Sequence, residues 1–196
     1  MSDSAAAVAA PVEAAPGCPS PEARPVELLS EETIAARVLE LAEEIAAAAG
    51  DSPLHLVVVL RGAFVFAADL VRALDRVGVE VTVGFCRIAS YGDGTTPGKP
   101  RLELPSPESL HGRDVLIVED IVDTGVAFDA LLPGLAGFGP RSLRTVALLS
   151  KPSRRRIGVP IDHVGFLIPD RFVVGYGLDH AGRYRQLPFI GVVSRD

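Results

Sequence analysis

Tryptophan is absent from these 196 residues, and cysteine and lysine each occur only twice. Two cysteines, Cys18 and Cys86, are too few for a disulfide framework. A reducing compartment, the cytoplasm, is therefore expected. Basic side chains are outnumbered, 19 against 25 acidic, for a net charge of −6 and a pI of 5.2. That balance excludes bulk attraction to nucleic acid or to an anionic membrane, so any anionic ligand must be held by local groups. A membrane span needs roughly 20 apolar residues, and the longest apolar run here is the short stretch from Leu54 to Leu60. What remains, 48% hydrophobic and 22% charged, is the composition of one globular domain with a real core.

Residues 1–25 hold 8 Ala and 5 Pro, no aromatic residue and no basic residue before Arg24. Such a segment cannot bury enough apolar surface to offset its ordering entropy. Pro11 and Glu13 also interrupt any apolar core of a secretory signal. A disordered tail over 1–25 and a single domain over 26–196 are expected. Ser30 is placed to cap a helix in which Ile34, Val38, Leu41 and Ile45 recur at helical spacing, ending near Gly50. Leu54 to Leu60 reads as a strand buried on both faces. A glycine turn at Arg61-Gly62 leads into a helix carrying Phe66, Leu70 and Leu74. Val79 to Ile88 predicts a second strand. Residues 89–109 carry glycines, threonines and four prolines without periodicity, and predict a long loop of the kind that forms lids. Val115 to Val118 predicts a third strand, followed by a turn from Glu119 to Gly125 and a short helix from Phe128 to Leu135, damaged by Pro133. Further strands are expected at Leu143 to Leu149 and Val164 to Ile168, with short ones at Phe172 to Val174 and Phe189 to Val193. Strands alternating with helices predict an α/β fold with a mostly parallel sheet. Ligands bind such sheets beyond the carboxyl ends of the strands.

The most informative segment lies at one of those ends. The strand Val115 to Val118 runs into Glu119, Asp120 and Asp123, then Thr124-Gly125 at the start of a helix. Glycine permits close backbone approach, and a helix N-terminus offers N–H groups and a positive dipole end to an anion such as phosphate. Carboxylates beside it do not bind phosphate directly. They are suited to sugar hydroxyls, a metal ion or a proton to be removed. A phosphorylated sugar would satisfy both halves. The bland alternative is that Asp123 merely caps the helix and that Glu119 and Asp120 are a solvated strand end.

The segment Val115 to Gly125 resembles the phosphoribosyl diphosphate (PRPP) signature of the type I phosphoribosyltransferases. Four other stretches, in the same order, resemble the bacterial hypoxanthine phosphoribosyltransferases: Leu60 to Leu70, Ser90 to Thr96, Lys151 to Arg155 and Ile168 to Asp179. The resemblance spans residues 30–196. It implies a type I phosphoribosyltransferase fold with a mobile flap, about 88–109, and a small hood contributed by the N-terminal and C-terminal parts. It also implies transfer of the 5-phosphoribosyl group from PRPP to a 6-oxopurine, hypoxanthine or guanine, in purine salvage. Magnesium is the implied cofactor, and a homodimer or homotetramer the implied assembly.

Residue roles follow from the same resemblance. Glu119 and Asp120 match the pair that holds the ribose hydroxyls, and with Asp179 they are the carboxylates linked to magnesium. Asp123 matches the general base, or acid in reverse, at purine N7. The backbone from Asp123 through Thr124, Gly125 and Val126 to Ala127 matches the 5-phosphate loop. Lys151 matches the donor to O6 of the base, Phe172 the ring that stacks on the purine, and Val173 the backbone that reads its edge. Arg61, Gly62 and Arg185 match pyrophosphate contacts, and Ser90 and Tyr91 the flap. A cis peptide is implied at Arg61-Gly62, where the family usually has Lys-Gly. Composition adds one observation: with 17 arginines and only Lys99 and Lys151 as lysines, the choice of lysine at 151 stands out.

Two departures are visible. Ala127 stands where the family commonly has threonine, which removes one hydroxyl from the phosphate loop and predicts weaker PRPP binding. Pro97, Gly98 and Pro100 replace a more Ser- and Gly-rich flap. The competing functions are a xanthine-preferring enzyme, a non-catalytic PRPP-sensing regulator and a flavodoxin-like binding module. The basic run Arg154 to Arg156 is too short to require nucleic acid and suits a subunit interface. His55, His111, His163 and His180 share no ligand spacing on one element.

Overall fold

The structure, a computed structural model, describes residues 25–89 and 101–193, apart from the side chains of 89 and 101. The tail through residue 24 lies outside the described residues, as do Ser90 and Tyr91 at the head of the expected flap.

Local chemistry sets the first elements. Strand β1, Val26–Leu29, leads to Ser30, whose Oγ accepts a hydrogen bond from the Thr33 N–H at 3.2 Å and so caps helix α1, Glu31–Ala49. Glu31 and Glu32 sit in its first turn, where the helix dipole favours negative charge. Gly50 closes it with φ of 61° and an N–H bonded to Ala46 O. Strand β2, Leu54–Leu60, helix α2, Phe64–Arg76, and strand β3, Val81–Ala89, follow. Strand β4 is Arg101–Glu103, β5 is Asp114–Val122 and helix α3 is Val126–Ala136. The chain continues through β6, Ser142–Ser150, β7, His163–Leu167, β8, Val173–Val174, and β9, Ile190–Val192.

Six strands form one sheet in the order β4-β3-β2-β5-β6-β7, and β4 alone is antiparallel. Side-chain alternation along β2 supplies both faces. Leu54, Leu56 and Val58 pack with α1 and α2, whereas Val57 and Val59 pack with Phe128, Leu131 and Leu135 of α3. The continuous apolar run of β2 is thus explained by helices on both sides. A second, antiparallel sheet, β1-β9-β8, joins the two ends of the described chain.

Several boundaries differ from the sequence reading. The loop expected over 89–109 contains β4 and a short 3₁₀ turn at Pro107–Ser109. Three residues are too few to display alternation, and β4 is held through pairing with Arg87 to Ala89 and through Leu102 against the α3-side core. β1 escaped the pattern because its residues are largely exposed and its order comes from pairing with β9. Glu119 and Asp120 belong to β5, which runs on to Val122 instead of ending before them. α3 accommodates Pro133 inside its span. No described helix is long and apolar enough to cross a membrane.

Candidate active site

From β2 the chain turns to β3 on one side, and from β5 to β6 on the other. The crevice beyond the carboxyl ends of β2 and β5 is therefore the switch point where ligands bind open α/β sheets. A cavity of about 770 Å³ lies there. The turn after β2 brings Arg61 and Gly62 to it, β5 and its following turn bring Asp120 and Asp123, and the end of β6 brings Lys151. Phe172, just before β8, and Val173, its first residue, also reach it, as do Asp179 and Arg185 from the hairpin before β9.

Gly62 and Asp120 meet so closely that no side chain fits between them. A Cβ built on Gly62 would lie 1.6 Å from Asp120 Oδ2. Asp120 is buried, 9% exposed, and its Oδ1 accepts from the Ile121 N–H at 2.8 Å. The cis peptide in this turn is Leu60–Arg61, one bond earlier than expected at Arg61-Gly62. Strand alternation directs Glu119 elsewhere, to a smaller cavity of about 110 Å³ that it shares with Thr124, Gly125 and Ala127. Burial, then the neighbouring Asp120 charge, pushes the Glu119 carboxyl well above its ordinary value.

In the turn between β5 and α3, Gly125 has φ of 83°, and a Cβ there would lie 2.5 Å from Ile157 O. Only glycine meets both conditions. Gly125 is the N-cap of α3 and no side chain caps that end, so Asp123 is not the helix cap. Its Oδ1 instead accepts from Arg154 Nε at 2.9 Å. The exposed Val126 contributes its N–H to the loop, 3.5 Å from Thr124 Oγ1. The run Arg154 to Ile157 packs against this loop. The N–H groups of Arg156 and Ile157 both donate to Thr124 O, at 2.9 and 3.2 Å. Arg155 Nη2 donates to Ser150 Oγ at 2.8 Å, and its Cδ flanks Gly125. The three arginines were legible only as a charge run, because their contacts depend on β6 ending beside β5.

Lys151 is 6% exposed, and its backbone N–H donates to Val122 O at 3.1 Å, which ties it to β5. Phe172, part-buried, meets the His180 ring edge-to-face with centroids 5.1 Å apart. Asp179 Oδ1 pairs with Arg185 Nη2 at 2.6 Å, while its Oδ2 accepts from the Gly182 N–H at 2.8 Å. Asp170, Arg171 and Leu178 also line the cavity and were not singled out from the sequence, and Arg154, read there only as part of a basic run suited to a subunit interface, lines it too. Among the described residues, no three His, Cys, Asp or Glu side chains cluster as a ready-made metal cage. Asp120 and Asp179 present hard oxygen donors to one cavity, which fits magnesium held by one or two carboxylates together with ligand phosphates. Glu119 does not open on that cavity.

Comparison with known proteins agrees with this geometry. The phosphoribosyl transferase domain model matches residues 26–181. The chain is 44% identical over 169 residues to the hypoxanthine phosphoribosyltransferase of Escherichia coli, covering 85% of this chain and 93% of that protein. It is 41% identical over 168 residues to the hypoxanthine-guanine phosphoribosyltransferase of Bacillus subtilis, covering 85% and 92%. Among solved structures, a lysine-to-arginine variant of the Trypanosoma cruzi hypoxanthine phosphoribosyltransferase, in a ternary substrates complex, superposes with a TM-score of 0.79 at 42% identity. That match covers 86% of this chain and 94% of the other. With its sheet order, its strand-end cavity and these relatives in agreement, the chain belongs to the phosphoribosyl transferase family.

Proposed function

We propose that this enzyme transfers the 5-phosphoribosyl group of PRPP to hypoxanthine or guanine, giving IMP or GMP and pyrophosphate, in purine salvage. The observation that carries this reading is the convergence of Asp120, Asp123, Lys151, Phe172, Asp179 and Arg185, from separate segments, on one strand-end cavity.

The 5-phosphate sits at the uncapped start of α3, where backbone N–H groups and the helix dipole meet its charge. The ribose spans the two cavities across β5, its hydroxyls donating to Asp120 from the larger and to Glu119 from the smaller. The diphosphate faces Gly62 and Arg185, whose guanidinium suits phosphate oxygens. The base lies between Lys151 and Phe172, with Val173 reading its edge. A single ammonium donates to the 6-oxo oxygen and has no acceptor for the exocyclic amine of adenine. Bond breaking develops positive charge on the sugar, as in glycosyl transfer generally, and the carboxylates on β5 stabilise it. Asp123 removes the purine proton through N7. Asp120 and Asp179 would hold magnesium, which would supply positive charge against that of the diphosphate. The reading also has the protein act as a cytoplasmic homo-oligomer, with the small sheet serving as a hood.

The test is to offer hypoxanthine, guanine, xanthine and adenine separately, with PRPP and magnesium, and follow nucleotide formation by ultraviolet absorbance. Turnover of hypoxanthine and guanine is expected, with adenine inert. A preference for xanthine would move the acceptor, and no turnover with any base would overturn the reading.

A further inference from the structure

We propose that Tyr176 and Asp69 form a positioning pair that sets the width of the pyrophosphate end of the site. The inference rests on the functional reading above, in which Gly62, Asp179 and Arg185 face the pyrophosphate.

Tyr176 is a bulky residue with φ of 49°, flanked by Gly175 and Gly177 at 98° and 96°. Three consecutive residues with positive φ make a sharp reversal, and a non-glycine residue there is uncommon enough to require a local reason. The side chain supplies one. Tyr176 is 6% exposed, and its hydroxyl donates to Asp69 Oδ2 at 2.5 Å, on α2. The other carboxylate oxygen of Asp69 pairs with Arg72, one turn along the same helix.

The bond joins two walls of the cavity. Asp69 lies on the helix that begins directly after Leu60, Arg61 and Gly62. Tyr176 begins the hairpin that carries Asp179 and Arg185. Next to Tyr176, Gly177 touches Gly62 itself, since a Cβ on Gly177 would lie 2.2 Å from Gly62 O. Gly177 also fixes Arg185: its N–H donates to Arg185 O at 3.0 Å, and its carbonyl accepts from Arg185 Nη1 at 2.5 Å. Arg185 in turn holds Asp179. A hydroxyl anchored to α2 therefore determines how far Arg185 and Asp179 stand from Gly62, although neither Tyr176 nor Asp69 lines the strand-end cavity. Losing the anchor should loosen the grip on pyrophosphate and leave the purine and 5-phosphate contacts in place.

Calorimetric titration of the purified full-length protein tests this with two ligands, PRPP with magnesium and IMP, the second of which lacks the pyrophosphate. Tyr176→Phe and Asp69→Ala should each weaken PRPP binding about tenfold, the loss of one hydrogen bond to a charged acceptor. IMP binding should stay unchanged. The conservative Asp69→Asn keeps an oxygen acceptor without the charge and should lose less PRPP affinity than Asp69→Ala, while the double variant should be no weaker than either single one. Unchanged PRPP affinity in both single variants, an equal loss for IMP, or additive losses in the double variant would each overturn the pairing. A wild-type protein that binds neither ligand would instead overturn the functional reading on which the pairing rests.

Discussion

Gly62→Ala should disable the site through one atom. The added Cβ would lie 1.6 Å from Asp120 Oδ2 and 2.5 Å from its Cγ, whereas non-bonded heavy atoms rest at roughly 3.5 Å, the short end of their optimal range. The carboxylate must therefore move by about 2 Å, the difference between those separations. It has little freedom to do so, being buried and bonded to the Ile121 N–H. Misplacing a binding group by about 1 Å can cost on the order of 10²-fold in rate, so kcat/KM for PRPP should fall at least that far, about 2.7 kcal/mol of transition-state stabilisation. The assay is steady-state kinetics with hypoxanthine saturating and PRPP varied. A double-mutant cycle locates the cause: in an Asp120→Ala background the clash partner is gone, and Gly62→Ala should add little further loss. Wild-type kcat/KM in Gly62→Ala, or the same loss in both backgrounds, would refute the reasoning.

Ala127→Thr should lower the KM for PRPP, because a hydroxyl in the small cavity beside Thr124 and Gly125 adds a hydrogen bond to phosphate worth about 1 to 3 kcal/mol; an unchanged KM would count against it. Lys151→Met should cut kcat/KM for hypoxanthine by about 10- to 100-fold, the value of a hydrogen bond to a charged donor, with adenine still inert, and kinetics with both bases checks this. Burial, then the nearby Arg113 charge, depresses the pKa of His55, whose Nδ1 meets Thr82 Oγ1 at 2.7 Å while Nε2 is buried without a partner. The folded state therefore resists protonation, and its stability is full above the unfolded histidine value of about 6.5 and falls as pH drops below it. Urea unfolding at several pH values should show that decline, and His55→Gln should reduce it.

Much of this architecture could be read from pattern alone, for identifiable reasons. α1 announced itself through a serine cap, acidic first turn and helical spacing, each a local signal. The double-sided burial of β2 wrote itself as an unbroken apolar run. By contrast, β1 and β4 are ordered by partners more than 10 residues away or by three-residue pairings, which leave no periodic trace. Among the site residues, the carboxylates and Thr124-Gly125 were visible because they sit consecutively at a strand end. Arg154 was not, because its contact with Asp123 arises only when the turns after β5 and β6 lie side by side. The same holds for Gly62: its sequence suggested a turn, but the requirement for glycine comes from Asp120, far along the chain.

The measurement that tests the central claim most directly is the kcat of Asp123→Asn with hypoxanthine at saturating PRPP and magnesium, together with the PRPP affinity of the same variant. If the strand-end cavity performs the transfer with Asp123 as its base, kcat should fall by about 10² to 10⁴-fold, the range of general acid–base catalysis, while PRPP still binds. A wild-type kcat in Asp123→Asn would contradict the account.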